Sequence, residues 1–189
     1  MEGKVANNSW VRPCVAPTSE KAKDDEAAKI AAEGQTQSDK VYYMRQTVGN
    51  ACGTVGILHA VGNNLERFGI APGSYFNEFF AKTASLTPAE RATYLEEDEG
   101  IEVAHGDAVV GGQSSVPDID AVINLHFVAL VCVDGGLYEL DGRKSLPVYH
   151  GVTSEATLLT DAVPVINTFV ENAEGSIHFN AIALSKSVE

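Results

Sequence analysis

The stretch from Asn124 to Leu140 limits the possible folds more than any other part of the sequence. Two apolar runs, Asn124–Val133 and Leu137–Leu140, flank Asp134-Gly135-Gly136, and apolar runs around such a turn predict a β-hairpin. Side chains alternate along a strand, so Leu125, Phe127, Ala129, Val131 and Val133 share one face, and His126, Val128, Leu130 and Cys132 share the other. Both faces are apolar. A strand of this kind has to be covered on both sides, which puts the hairpin in the middle of a sheet with helices packed above and below it.

The flanking segments supply those helices. Asn50 can cap a helix over about 51–65, in which Ala51, Val55, Leu58 and Leu65 form one stripe and Ile57 and Val61 another. A helix apolar on more than one side is an interior helix, and Gly53, Gly56 and Gly62 within it predict close approach by neighbouring backbone. A helix over Ser74–Ala81 carries Tyr75, Phe76, Phe79 and Phe80. The next opens on Thr87-Pro88-Ala89-Glu90, a capping box with proline at the first helical position, and runs to about Glu97. Beyond the hairpin, a helix over about Glu155–Glu171 follows Ser154 and is broken by Pro164, and Ile177–Leu184 reads as a last strand apolar on both faces. The expected class is α+β, with helices flanking a central, mainly antiparallel sheet. No internal repeat is visible.

Two segments stand apart. From about Asp98 to Asp120 the sequence is rich in Gly, Ser and Asp with little periodicity, and loops longer than about 12–15 residues are usually functional or disordered. Residues 1–40 form a partly irregular N-terminal segment: Val5–Ser19 has two prolines and no sustained period, and Ser19 can cap a polar, alanine-rich helix over about 20–33 ended by Gly34. Residues 41–189 make up the main domain.

Charge and cysteine usage narrow the function classes. Thirteen Lys plus Arg stand against 26 Asp plus Glu, a net charge of −13; a surface so acidic does not neutralise phosphates, which excludes nucleic acid as a primary partner. No run approaches the roughly 18 apolar residues of a membrane span, and Met1–Cys14 lacks an apolar signal core. Cys14, Cys52 and Cys132 are widely spaced and form neither a disulfide framework nor a zinc pattern. A monomer in the reducing cytoplasm, with no membrane partner, is expected.

Among the cysteines, Cys52 sits at the start of the interior helix, where free N–H groups and the positive end of the helix dipole favour the nucleophilic thiolate. Position alone leaves it evenly balanced between a nucleophile and a small buried hydrophobe, which is how Cys132 and Cys14 read. Gln46, six residues earlier, could aim an amide N–H at the point served by the Cys52 N–H, giving two donors for an oxyanion; by itself it is equally a surface glutamine. His126 can serve as the base and Asp141 can orient it, though a core histidine and an Asp-Gly turn explain the same residues. A two-residue turn at Gly135-Gly136 pairs Asp141 with Leu130, four residues or roughly 13 Å from His126. On that register the pair does not meet. His59, His105, His150 and His178 read as structural or surface residues.

Three motifs carry a resemblance: Gln46-Thr-Val-Gly-Asn-Ala-Cys52-Gly-Thr-Val-Gly-Ile-Leu-His-Ala, Asn124-Leu-His126-Phe-Val-Ala-Leu-Val, and Leu137-Tyr-Glu-Leu-Asp141-Gly-Arg143-Lys. In this order and spacing they resemble the ubiquitin carboxyl-terminal hydrolases, a family of papain-like cysteine proteases, and most closely its small single-domain members. The likeness runs from about Val41 to Leu184. It implies Cys52 as nucleophile, His126 as general base, Asp141 as its orienting partner and Gln46 as oxyanion donor, with no metal or organic cofactor. It also implies that about 98–120 is the family's crossover loop, which restricts what can be attached to the ubiquitin tail. The implied activity is hydrolysis of small or unfolded adducts from the C-terminal glycine of ubiquitin or a close ubiquitin-like protein. Trp10–Ser19 looks like the flanks of the family's N-terminal core strand without its apolar middle, so a shortened N-terminus with core elements missing is expected. The alternative is a ubiquitin-binding protein whose triad is not assembled.

Overall fold

The computed structural model of the chain describes residues 8–15, 26, 28, 30, 32, 34–49, 51–98, 100, 126–172 and 179–185, with backbone only for 8–15 and 185. Its elements are β1 (Asn8–Val15), α1 (Cys52–Gly62), α2 (Leu65–Phe68), α3 (Tyr75–Thr83), α4 (Pro88–Glu96), β2 (His126–Phe127), β3 (Ala129–Val133), β4 (Gly136–Leu140), β5 (Val148–Val152), α5 (Leu158–Glu171) and β6 (Asn180–Ser185). Every pairing among the described strands is antiparallel: β6 lies on β1, β1 on both β2 and β3, β3 on β4, and β4 on β5. β2 and β3 are thus one strand interrupted at Val128.

The sheet is covered on both faces, as the alternating apolar pattern requires. Leu130, Cys132 and Leu137 pack with Val128 against Leu158, Ala162, Val165 and Phe169 of α5. Ala129, Val131, Tyr138 and Leu140 pack on the other side with Tyr43 and Ala60. A third cluster joins Val55 and Leu58 of α1 to Tyr42, Met44, Phe79, Phe80 and Leu95.

Local signals account for several element ends. Ser74 accepts the Asn77 N–H at the start of α3, and Thr87 and Glu90 close the expected capping box on α4, with Pro88 at its first position. Gly34, at φ +69°, returns its N–H to the Ile30 carbonyl and ends the helical stretch to which Glu26, Ala28, Ile30 and Ala32 belong. In α1 the glycine reading holds at Gly62 in altered form: an added Cβ would meet the Tyr42 ring at 2.5 Å, so rings rather than backbone press on it.

Four expectations change. The place beside β3 that the sequence left without a core strand is occupied by β1, which pairs Trp10 with Val131 and Val11 with Leu130 on one edge and runs along β6 on the other. Backbone groups on both its edges find partners, and this pairing does not require the apolar run whose absence suggested a gap. The hairpin turn is Asp134-Gly135 rather than Gly135-Gly136: both residues are left-handed, at φ +49° and +75°, and Val133 faces Gly136, as the two-residue Asp-Gly turn prefers. Pro164 does not break α5, which runs through it from Leu158; Pro164 is exposed, while Leu158, Ala162, Val165 and Phe169 hold the buried side. β6 is an edge strand with Ile182 and Leu184 exposed, not one buried on both faces. β5 was not anticipated. Asn50, Asn124, Leu125, Ile177 and all of the 98–120 loop but Asp98 and Gly100 lie outside the described residues.

Candidate active site

Cys52 is the first residue of α1, at the end where backbone N–H groups lack carbonyl partners and the dipole is positive. It is 9% exposed. His126 opens β2 and Asp141 immediately follows β4. Moving the hairpin turn by one residue shifts the register by two, so Ala129 faces Leu140. Asp141 then leaves the strand opposite the interruption at Val128, and its Oδ1 reaches His126 Nε2 at 2.5 Å. The observed register brings together the two residues that the simplest register separated.

Asp141 is itself held. Its Oδ1 accepts the Arg143 N–H at 2.8 Å, its carbonyl accepts from the Tyr43 hydroxyl at 2.8 Å, and that carbonyl also takes the Lys144 N–H at 3.0 Å. With Nε2 turned to Asp141, Nδ1 is the ring nitrogen left for the thiol. Nδ1 is buried without a hydrogen-bond partner, yet His126 and Cys52 lie near enough to shift one another. A loose nucleophile–base contact of this kind is common before substrate binds.

The electrostatics favour an ion pair. Burial pushes the Cys52 thiol up, but the His126 ring, the Phe127 backbone and the Arg143 charge outweigh it and bring the thiol below its ordinary value. Burial pulls His126 down, while Asp141 and Cys52 raise it further, leaving its pKa above the ordinary value. Asp141 is pushed up by burial and more than compensated by His126, the Arg143 N–H and the Lys144 charge, so it stays ionised below the usual carboxylate range. Each shift stabilises thiolate, imidazolium and carboxylate in sequence.

Gln46 belongs to the same cluster through its backbone, whose N–H donates to the Gly142 carbonyl at 2.8 Å. Its side-chain N–H donates to the Val48 carbonyl at 3.2 Å, and its Oε1 is buried without a partner. The amide nitrogen has a second N–H, which is the donor an oxyanion role would use. Among the described residues no group of three or more His, Cys, Asp or Glu could hold a metal ion.

The family model for ubiquitin carboxyl-terminal hydrolase, family 1, matches residues 12–171. The chain belongs to that family. It is 52% identical over 152 residues to ubiquitin carboxyl-terminal hydrolase 3 of Arabidopsis thaliana, covering 80% of this chain and 64% of that relative. It is 45% identical over 155 residues to the human ubiquitin carboxyl-terminal hydrolase isozyme L1, covering 82% of this chain and 68% of that protein. The fold is also that of the UCH37 catalytic domain of Trichinella spiralis, solved with ubiquitin vinyl methyl ester: TM-score 0.66 at 23% identity, over 95% of this chain and 77% of that one.

In this family member the sequence reading passed over three residues that bear on the site. Arg143 was part of a quoted motif, but its charge on Cys52 and its N–H on Asp141 depend on a turn that only the folded chain displays. Lys144 pairs with Glu139 at 2.6 Å and with Glu26, tying the turn to the helical stretch around Ile30. Buried Glu139 also binds His150 at 2.8 Å. An open cleft of about 710 Å³ lined by Glu26, Ile30, Gln35, Val148 and His150 shares no residue with the triad. No helix among the described residues is long and apolar enough to cross a membrane.

Proposed function

We propose that the chain hydrolyses ester, thioester, amide or peptide adducts at the C-terminal glycine of ubiquitin or a close ubiquitin-like protein. The Cys52 thiolate attacks the glycine carbonyl, and the Cys52 N–H and the Gln46 amide hold the oxyanion. His126 Nδ1 then gives its proton to the leaving group, and the acyl-enzyme forms as the C–N, C–O or C–S bond breaks. The same nitrogen takes a proton from water, which attacks the thioester and frees the thiolate. Asp141 keeps Nε2 engaged throughout and offsets the charge on the ring.

The observation that supports this reading best is the 2.5 Å contact between His126 and Asp141 beside a thiol at a helix N-terminus. The alternative, a ubiquitin binder with a disassembled triad, is disfavoured by the same contact. Purified chain and its Cys52→Ala variant would be mixed with a fluorogenic amide of ubiquitin's C-terminus. Turnover by the wild type alone is expected; ubiquitin binding without turnover would overturn the proposal.

A further inference from the structure

Beside β2, which bears His126, three segments carry the other proposed catalytic groups: α1 bears Cys52, the stretch 42–46 bears Gln46, and the end of β4 leads into Asp141. One side chain touches all three. His59 is fully buried on α1, seven residues and so nearly two turns after Cys52, on the same side of the helix. The Met44 N–H and the Met44 carbonyl lie 3.1 and 3.0 Å from its Nε2, and Nδ1 lies 3.2 Å from the Leu140 carbonyl, so the ring is tied to both segments; in the neutral ring with its hydrogen on Nδ1, Nδ1–H donates to Leu140 and Nε2 accepts from Met44. Met44 lies two residues before Gln46, and Leu140 immediately precedes Asp141.

Burial holds the ring's pKa down at about 4, against the pull of the two backbone contacts and of Asp141, with Arg91 acting in the same sense as burial. The Tyr43 ring stacks on the imidazole at 5.0 Å and 19°, and the Tyr43 hydroxyl shares its hydrogen between the Asp141 and Lys144 carbonyls at 2.8 and 2.6 Å. The stacked pair therefore reaches the catalytic turn at two points. A site that needed only filling would take a leucine or phenylalanine and avoid the cost of burying an imidazole.

We propose that His59 is a positioning residue: its buried ring ties α1, the Gln46 stretch and the Asp141 turn into one rigid unit, so that nucleophile, oxyanion donor and base partner keep a single geometry. The inference rests on the hydrolase reading above. His59→Phe keeps the bulk and loses both hydrogen bonds, and kcat on the ubiquitin amide falls about 10²-fold, the usual result of a misplacement near 1 Å, with KM little changed.

Two conservative variants divide the role. In His59→Asn the amide nitrogen can take the place of Nδ1 and hold Leu140; in His59→Gln the amide oxygen can take the place of Nε2 and hold Met44. The readout is the pH profile of Cys52 alkylation by iodoacetamide, located by mass spectrometry, which needs no turnover. His59→Asn is expected to keep the wild-type profile while turnover stays low, and His59→Gln to move the profile to higher pH because Asp141 is released. Wild-type kcat and profile in a folded His59→Phe, or a loss confined to KM, would overturn the inference. If His59→Phe gives no cooperative melt, the Asn and Gln variants decide, and identical profiles for both would likewise overturn it. Absent ubiquitin hydrolysis in the wild type, with the alkylation shifts intact, would remove the hydrolase reading and leave the positioning role standing.

Discussion

Gly142→Ala tests how closely the turn that follows Asp141 is fitted to the helix that carries Cys52. A Cβ built on Gly142 would lie 2.9 Å from Gln46 Cβ, 2.9 Å from Val55 Cγ1 and 3.2 Å from the Gln46 nitrogen. Carbon atoms pack best at about 3.5–4.0 Å, so the new methyl falls short by roughly 0.6 Å or more at two contacts. Neither neighbour is a flexible tip. Gln46 Cβ is fixed by its own N–H on the Gly142 carbonyl at 2.8 Å, and Val55 is 2% exposed within the packed core. The turn itself has to move outward, carrying Asp141 away from His126. Overpacking of this kind costs about 1–3 kcal/mol, and a kilocalorie moves Tm by about 2–4 °C in a domain of this size, so Tm falls by about 2–12 °C. A shift approaching 1 Å at Asp141 lowers kcat by up to about 10²-fold. A thermal melt and steady-state hydrolysis of the ubiquitin amide read the two effects separately. Wild-type kcat in the variant, with or without a lower Tm, would show that Asp141 keeps its place on His126 despite the added methyl.

Asp141→Asn removes the carboxylate that holds His126 above its ordinary pKa. The imidazolium is then less stable, the Cys52 thiolate loses its counter-charge, and the alkylation profile moves to higher pH; an unchanged profile would separate Asp141 from the site. Glu139→Gln breaks a buried carboxylate that faces Lys144 and His150, at a cost of about 3 kcal/mol, seen as a Tm loss of about 6–12 °C. Burial pushes the Glu139 carboxyl up, but His150 and Lys144 outweigh it and depress it below the ordinary 4.5. Its contribution to stability is therefore complete above pH 4.5 and lost as pH falls through the lower folded value, so the Tm gap between wild type and variant narrows in acid.

Much of the candidate site was legible because its residues lie in short motifs whose chemistry depends on type and order. Cys52 at a helix start, His126 on an apolar strand and Asp141 after its partner were all named, and the structure assembles them. The hairpin register was missed by one turn position: Gly135-Gly136 outweighed the Asp-Gly signal one residue earlier, although Asp134 at φ +49° is the conformation that signal encodes. β1 escaped because its place is fixed by backbone pairing with β3 and β6, more than 100 residues away, and not by an apolar pattern of its own. β5 is short, has a register shift opposite Gly136 and Tyr138, and carries Gly151 at φ +117°; little periodicity survives in such a strand. His59 read as a core residue because its hydrogen bonds run to backbone groups, which no side-chain motif reports.

The proposed attack of Cys52 on the C-terminal carbonyl of ubiquitin can be trapped directly. Ubiquitin carrying an electrophilic vinyl methyl ester at its C-terminus would be incubated with the full chain, and the product digested and mapped by mass spectrometry. A one-to-one covalent adduct on Cys52 is expected, abolished by Cys52→Ala and slowed by Asp141→Asn. No adduct, or an adduct on Cys14 or Cys132, would contradict it.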